Sequence, residues 1–212
     1  MKLLTFAEQA GAGEPRLGAL INLDRIVDRA AAHARTGDSV PLAALMRSLI
    51  AHREALAPVR GAIAAVGPNA SPSICRARDT VRVLPPIRNP RKFLCVAKNH
   101  RSQLEEFARN QLVREIHGEH TGFVKLDSVS VGDEAEVARY RGIETLDYEP
   151  ELAFIIGERA FRARKEAASA HIAGITLTDD LTAREIQKCE VAAGIRFWIA
   201  KNMPSFARLG PS

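Results

Sequence analysis

The sequence predicts an α+β chain, and three observations carry that prediction. Two short apolar runs, KLLTF at 2–6 and LGALIN at 17–22, flank the Gly/Pro-bearing stretch AGAGEPR, the pattern of a hairpin. Helical periodicity follows, opened by Asp24 and running to about His33, then from Leu42 to about Ala57 with a resumption to Val66 beyond Pro58. Beyond residue 90, strand-like segments dominate and helices only interrupt them. No phosphate-cradling glycine loop accompanies them, which argues against a doubly wound nucleotide fold.

The 212 residues are 46% apolar and 26% charged, enough for one or two packed domains and unlike a disordered or fibrous chain. No apolar run approaches the roughly 20 residues of a membrane helix. The longest clean one, Leu152–Ile156, is strand-sized, and the N-terminus MKLLTFAEQAG becomes polar too soon for a signal-peptide core. Cys75, Cys95 and Cys189 are odd in number and far apart, which argues against a disulfide framework or zinc knuckle and for a reducing compartment. The expectation is a cytoplasmic protein with no membrane partner.

Thirty Lys plus Arg against 25 Asp plus Glu give a net charge of +5, and the excess is uneven. Arg76, Arg78, Arg82, Arg88, Arg91, Lys92, Lys98 and Arg101 fall in one stretch whose only aromatic is Phe93. Without the fingerprint of a nucleic-acid reader, that stretch reads as a solvated face whose field favours small anions, and no nucleic-acid partner is expected.

Residues 67–90 are turn-rich, with Pro85, Pro86 and Pro90 closing the segment. They divide the chain into a small N-terminal α+β domain with its linker, 1–83, and a second domain, 84–212. In the second domain Phe93–Ala97 reads as a buried strand and Ser102 to Glu115 as a helix. Strands are expected at Gly122–Lys125, Ala135–Tyr140, Tyr148–Ile156 and Ile172–Thr178. Thr182 and Glu185 have the spacing of a capping box, which predicts a helix from there to about Ala193.

The stretch most informative for chemistry is LDYEPELAFIIG at 146–157. Side chains two apart on a strand share a face, so Glu149 and Glu151 are expected to project together. Two like charges beside an apolar run call for compensation, which a hard divalent cation with oxygen ligands provides; a polar strand end facing solvent is the other reading. Pro150 cannot donate to a ladder, so this end of the strand is an edge or an opening. Thr178-Asp179-Asp180 closes a second apolar run just before the expected helix. A carboxylate there completes a three-carboxylate set, or serves turn and cap chemistry alone.

Four segments taken together, LPPIRNPRKFLCVAKNH, LDYEPELAFIIG, HIAGITLTDDLTAREIQ and KNMPSFARLGP, resemble successive signatures of the fumarylacetoacetate hydrolase family over residues 84–211. The resemblance implies a mainly-β roll with a small N-terminal domain. It also implies a catalytic domain incomplete at its C-terminus, since family chains continue past the Gly210-Pro211 turn.

Carried over residue by residue, it implies that Glu149, Glu151 and Asp180 bind Mg²⁺ or Mn²⁺ and that Lys201 lies near the metal and holds substrate. Lys125 matches a second family lysine, and Arg184 an arginine that serves a salt bridge or substrate contact. The implied activity is metal-dependent hydrolysis of a C–C bond in an acylpyruvate or related small anionic 2-oxo acid, through an enolate. Oxo-acid decarboxylation, isomerisation and an inactive structural role are the alternatives, and a homodimer is the implied assembly.

The family's water-activating His–Glu pair falls on NHRSQLEE at 99–106. Glu106 is retained, but Gln103 stands where the histidine is expected, and a glutamine cannot be a general base. His100, His117 and His120 are the histidines that remain nearby. Glu185 and Pro204 are milder departures from the pattern.

Overall fold

In the computed structural model the described residues are 1–9, 13–36, 46–67, 70–97, 99–100, 102, 105, 109, 121–195 and 197–211. The N-terminal part is one antiparallel sheet of five strands. β1 (Lys2–Glu8), β2 (Arg16–Ile21), β3 (Arg25–Asp28), β4 (Cys75–Ala77) and β5 (Val81–Leu84) pair in the order β4-β3-β2-β1-β5. Alternation along β1 feeds two cores. Leu3 joins Leu17, Ala19 and Val27 against the helices, while Leu4 and Phe6 join Ile26, Val81 and Val83 on the other face.

Two expectations are corrected here. The helix expected to open at Asp24 starts five residues later, as α1 (Arg29–Thr36). Ile26 and Val27 are β-branched and pack into opposite cores, so residues 25–28 pair as a strand. The cap is Asp28, whose Oδ1 accepts from the amides of Ala30 (3.0 Å) and Ala31 (3.2 Å). Residues 67–90, expected as a boundary rich in turns, carry β4 and β5 of this sheet. Val81 and Val83 alternate inward against β1, and the prolines follow the strand rather than replace it.

The second helical stretch is broken before its proline. α2 (Met46–Ala51) and α3 (Leu56–Ala64) are separated by a 3-10 turn, Arg53–Ala55. Pro58 sits in the first turn of α3, where its missing N–H leaves no gap in the ladder.

Among the described residues the second part is built from short strands in three sheets. β6 (Leu94–Ala97) pairs with β7 (Thr121–Val124). β8 (Ser130–Gly132), β10 (Pro150–Ile156), β11 (Ile172–Asp180) and β13 (Ala207–Leu209) form a sheet in the order β10-β11-β13-β8, with β13 and β8 parallel. β9 (Leu146–Asp147) pairs with β12 (Thr182–Ala183), and α4 (Arg184–Ala192) follows directly. Pro150 therefore opens an edge strand, where its lack of a donor is tolerated.

Residues 135–140 form no strand. Val137 and Tyr140 instead pack beside Ile143, Leu181, Ala183 and Phe206, and the Arg139 guanidinium donates to the carbonyls of Ile143 and Glu144. The capping box does not form either, because both of its members have other partners. Ala183 occupies the cap position, Glu185 Oε1 accepts from the Thr145 amide at 2.8 Å, and the Thr182 hydroxyl donates to the Asp180 carbonyl. The helix expected over 102–115 falls largely outside the described residues.

Strand 93–97 is present but not buried. Leu94 is 65% exposed and Val96 61%, whereas Cys95 and Ala97 between them are half-buried. β10 and β11 behave alike. Leu152, Phe154, Ile156, Ile175 and Leu177 share one exposed face, while Thr176, Thr178 and Asp180 on the other are buried. Continuous apolar runs signal burial on both faces, and among the described residues only one face of each strand is covered.

The two parts meet where β5 runs beside β8. A Cβ on Gly132 would stand 2.0 Å from the Val83 carbonyl oxygen. Arg78 clasps the seam, its Nη2 lying 2.5 Å from Asp133 and 3.2 Å from Glu134.

Candidate functional site

On β11 the buried positions alternate as Thr176, Thr178, Asp180, and β10 places Glu151 directly opposite Thr178. Asp180 ends the strand, and its amide donates to the Glu149 carbonyl at 2.8 Å, which draws the chain of Glu149 alongside. Two buried lysines converge on this corner. Lys125, one residue beyond β7, puts Nζ 2.5 Å from Asp180 Oδ1. Lys201, at the end of the 3-10 turn Ile199–Lys201, puts Nζ 2.6 Å from Asp180 Oδ2 and 2.6 Å from Glu149 Oε2. Arg184, at the start of α4, closes the network through Glu149 Oε1 (2.6 Å) and Asp147 Oδ2 (2.5 Å).

Three cations thus face three carboxylates, and Glu151 is the additional acid. Its nearest partner is His100, with Nε2 3.5 Å from Oε2. Burial pushes the Glu151 carboxyl above its ordinary range; His100 opposes that rise, and Asp180 and Glu149 add to it. Lys125 is pushed down, chiefly by burial, with Asp180 holding it back up. The ring of Phe123, on β7, lies 5.3 Å from Lys201 Nζ and is itself met edge-on by Phe197. Cys95, on β6, faces the same cluster. Burial first and Asp180 second push its thiol to about 12, so it is no nucleophile at neutral pH.

The turn that carries Lys201 is held by two side chains that sequence reasoning missed. Glu190 is buried at the end of α4, and its carboxylate accepts from the amides of Ile199 (2.5 Å) and Ala200 (3.3 Å). Asn202 Oδ1 accepts from the Leu126 amide at 2.6 Å, and its Nδ2 donates to the carbonyls of Val124 and Trp198, both at 3.0 Å. Glu190 stands in none of the segments singled out in the sequence, and although Asn202 follows Lys201 in KNMPSFARLGP, both bind backbone groups, to which no spacing rule points.

Of the residues singled out in the sequence, the structure brings Glu149, Glu151, Asp180, Lys125 and Lys201 together. Arg184 is committed to ion pairs. Glu106, Gln103, His117 and His120 lie outside the described residues.

The donor set has the chemistry that a hard dication takes: three carboxylates, Glu149 and Glu151 at the start of one strand and Asp180 at the end of its neighbour. With the side chains as they lie, the Lys201 ammonium stands between Glu149 and Asp180, and among the described residues no group of three donors closes into a metal-holding arrangement. Among the same residues no helix is long and apolar enough to cross a membrane.

Residues 92–212 match the fumarylacetoacetate (FAA) hydrolase C-terminal domain. The chain belongs to the fumarylacetoacetate hydrolase family. All five converging residues lie inside the matched segment.

Among curated members of the family, it is 31% identical over 134 residues to oxaloacetate tautomerase YisK of Bacillus subtilis, covering 62% of this chain and 42% of that one. It is 32% identical over 135 residues to the human mitochondrial oxaloacetate tautomerase FAHD2A, covering 64% and 41%. The match therefore spans about two fifths of these relatives' lengths. Among solved structures, a fumarylacetoacetate hydrolase from psychrophilic Exiguobacterium antarcticum superposes with a TM-score of 0.64 at 25% identity, over 98% of this chain and 64% of that one. A maleylpyruvate hydrolase from Sphingobium sp. SYK-6 shares the fold, with a TM-score of 0.62 at 24% identity.

Proposed function

We propose that this member of the fumarylacetoacetate hydrolase family performs enolate chemistry on a small anionic 2-oxo acid, with keto–enol interconversion as the reaction. The observation that carries the reading is the convergence of two buried ammonium groups on Asp180. An oxygen that gains negative charge there meets fixed positive charge in a site shielded from water. Lys201, which bridges two carboxylates beside an aromatic ring, is the group placed to hold that oxygen. Lys125 backs it from the opposite side of Asp180, and the Glu106 carboxylate, assigned from the sequence resemblance alone, takes the enol O–H proton and returns a proton to the adjacent carbon. A magnesium or manganese ion held by Glu149, Glu151 and Asp180 would supply Lewis-acid polarisation of the 2-oxo acid's oxygens.

Hydrolysis of a C–C bond shares the enolate but also needs a base to activate water. Gln103, at the position the family pattern gives to histidine, weighs toward the tautomerase reading, as do the names of the curated relatives. The test follows the decay of the oxaloacetate enol by ultraviolet absorbance, with Mn²⁺ present. The chain should accelerate it, and Lys201→Met should cut the acceleration by roughly 100-fold. A folded wild-type chain that leaves the spontaneous rate unchanged would sink the reading. In a separate measurement Mn²⁺ should raise the unfolding midpoint by mass action. Glu149→Gln with Glu151→Gln should abolish the rise, and an unchanged rise would remove these two carboxylates from the metal site.

A second copy of this chain is proposed as its partner. The support is the open apolar face of β10 and β11, five large side chains wide, on a strand at the sheet edge. Light scattering after gel filtration should give twice the monomer mass for the wild type and the monomer mass for Phe154→Lys with Leu177→Lys. A monomeric wild type overturns the pairing.

A further inference from the structure

We propose that Asn202 is a positioning residue that fixes the two lysine ammonium groups relative to each other; this rests on the enolate reading above. The two lysines reach Asp180 from unconnected elements. Lys125 follows β7, and Lys201 ends a 3-10 turn 76 positions further along the chain. Each takes its own oxygen of the one carboxylate, Lys125 at 2.5 Å and Lys201 at 2.6 Å.

The two elements need a clamp, and the Asn202 carboxamide is one. It holds the backbone on both sides of Lys125, donating to the Val124 carbonyl at 3.0 Å and accepting from the Leu126 amide at 2.6 Å. Its second N–H goes to the Trp198 carbonyl, and its own amide donates to the Ile199 carbonyl at 3.1 Å. The side chain therefore belongs to the turn of Lys201 and grips the strand end of Lys125.

A carboxamide supplies one acceptor and two donors in a plane, and all three are used. Loss of the clamp leaves the Lys125 main chain tied, among the described residues, only by its own amide to the Phe93 carbonyl (3.0 Å). The turn of Lys201 stays under the two hydrogen bonds that the Ile199 and Ala200 amides donate to Glu190. A misplacement on the order of 1 Å costs up to about 100-fold in rate. Asn202 reaches no reacting atom in this scheme; it acts through Lys125.

The test uses the full chain in two arms. In the first, oxaloacetate enol decay is measured for the wild type, Asn202→Ala, Lys125→Met and the double variant. Asn202→Ala should lower kcat by about 10-fold or more with a smaller change in KM. In the Lys125→Met background it should cost nothing further.

In the second arm, acetylation of Lys125 by acetic anhydride is followed by mass spectrometry, with no substrate or metal added. Lys125 is 2% exposed in the wild type and should be protected, and Asn202→Ala should open it to label while the unfolding transition stays cooperative. Asn202→Ser, which also removes the bridge, is run alongside and decides the question should the alanine variant lose cooperative unfolding.

Equal labelling in variant and wild type, or the same fold-loss of kcat in both Lys125 backgrounds, overturns the proposal. A wild type that is inactive on oxaloacetate defeats the functional reading alone, because the labelling arm still decides the positioning.

Discussion

Asp180→Ala should lower the stability of the chain by about 3–5 kcal/mol, the usual cost of stripping the partner from a buried charge. For a chain of this size that is a fall of roughly 6–20 °C in the unfolding midpoint. The expectation is large because the substitution abandons two cations at once. The Lys125 and Lys201 side chains are 1% and 3% exposed, so water cannot replace the carboxylate for either. Lys201 keeps Glu149, whereas among the described residues Lys125 has no other carboxylate within ion-pair distance. Adding Lys125→Met should therefore restore part of the loss, since an uncharged side chain of similar length no longer needs a counter-charge. Thermal unfolding followed by circular dichroism measures both variants. If the double variant shows the sum of the two single losses, the carboxylate and the ammonium are not coupled and the described network is wrong.

The second large effect is expected at Gly132. An alanine Cβ there would lie 2.0 Å from the carbonyl oxygen of Val83, 2.6 Å from its carbon and 2.8 Å from the Leu84 Cα. These are backbone atoms of β5, so no rotamer change relieves the overlap, and the first sheet must move away from β8. A loss of about 3 kcal/mol or more is expected, together with faster proteolysis near Pro85 and Pro86 as the seam loosens. Gly61→Ala is the control. That glycine lies in α3 with nothing within 4 Å of a new Cβ, so the substitution should stabilise by about 0.5–1 kcal/mol. A harmless Gly132→Ala would mean that the parts do not meet through β5 and β8.

Much of the second part was legible, because its strands are bounded by turns and their charged ends are conspicuous. Glu149, Glu151 and Asp180 could be grouped from spacing and from four family-like segments, and Pro150 marked the edge. The misreadings have local causes. Asp24 and Asp28 both offer helix caps, and only cross-strand pairing of Ile26 and Val27 decides between them. Thr182 and Glu185 carry a real capping signal, outweighed by a bridge to β9 and a bond to the Thr145 amide. The alternation of Val81 and Val83 was overshadowed by the prolines after them. The apolar run Phe93–Ala97 suggests burial, but an apolar run does not say whether a second layer is present. Glu190 and Asn202 were invisible for another reason. Each works by binding main-chain amides or carbonyls, and a backbone partner leaves no trace in the sequence.

The ion network also says something about how the chain reaches its native state. Lys125 and Asp180 are 55 positions apart, Glu149 and Lys201 are 52 apart, and β13 must find β8 in parallel across a still longer excursion. None of these contacts can form until several loops have closed, so they reward the chain late, after most of the entropy of closure has been spent. A cluster of that kind, if absent from the folding transition state, is expected to change the rate of folding little and to raise the barrier against unfolding. The corner that holds the charges together is thus also the latch that keeps the finished structure shut.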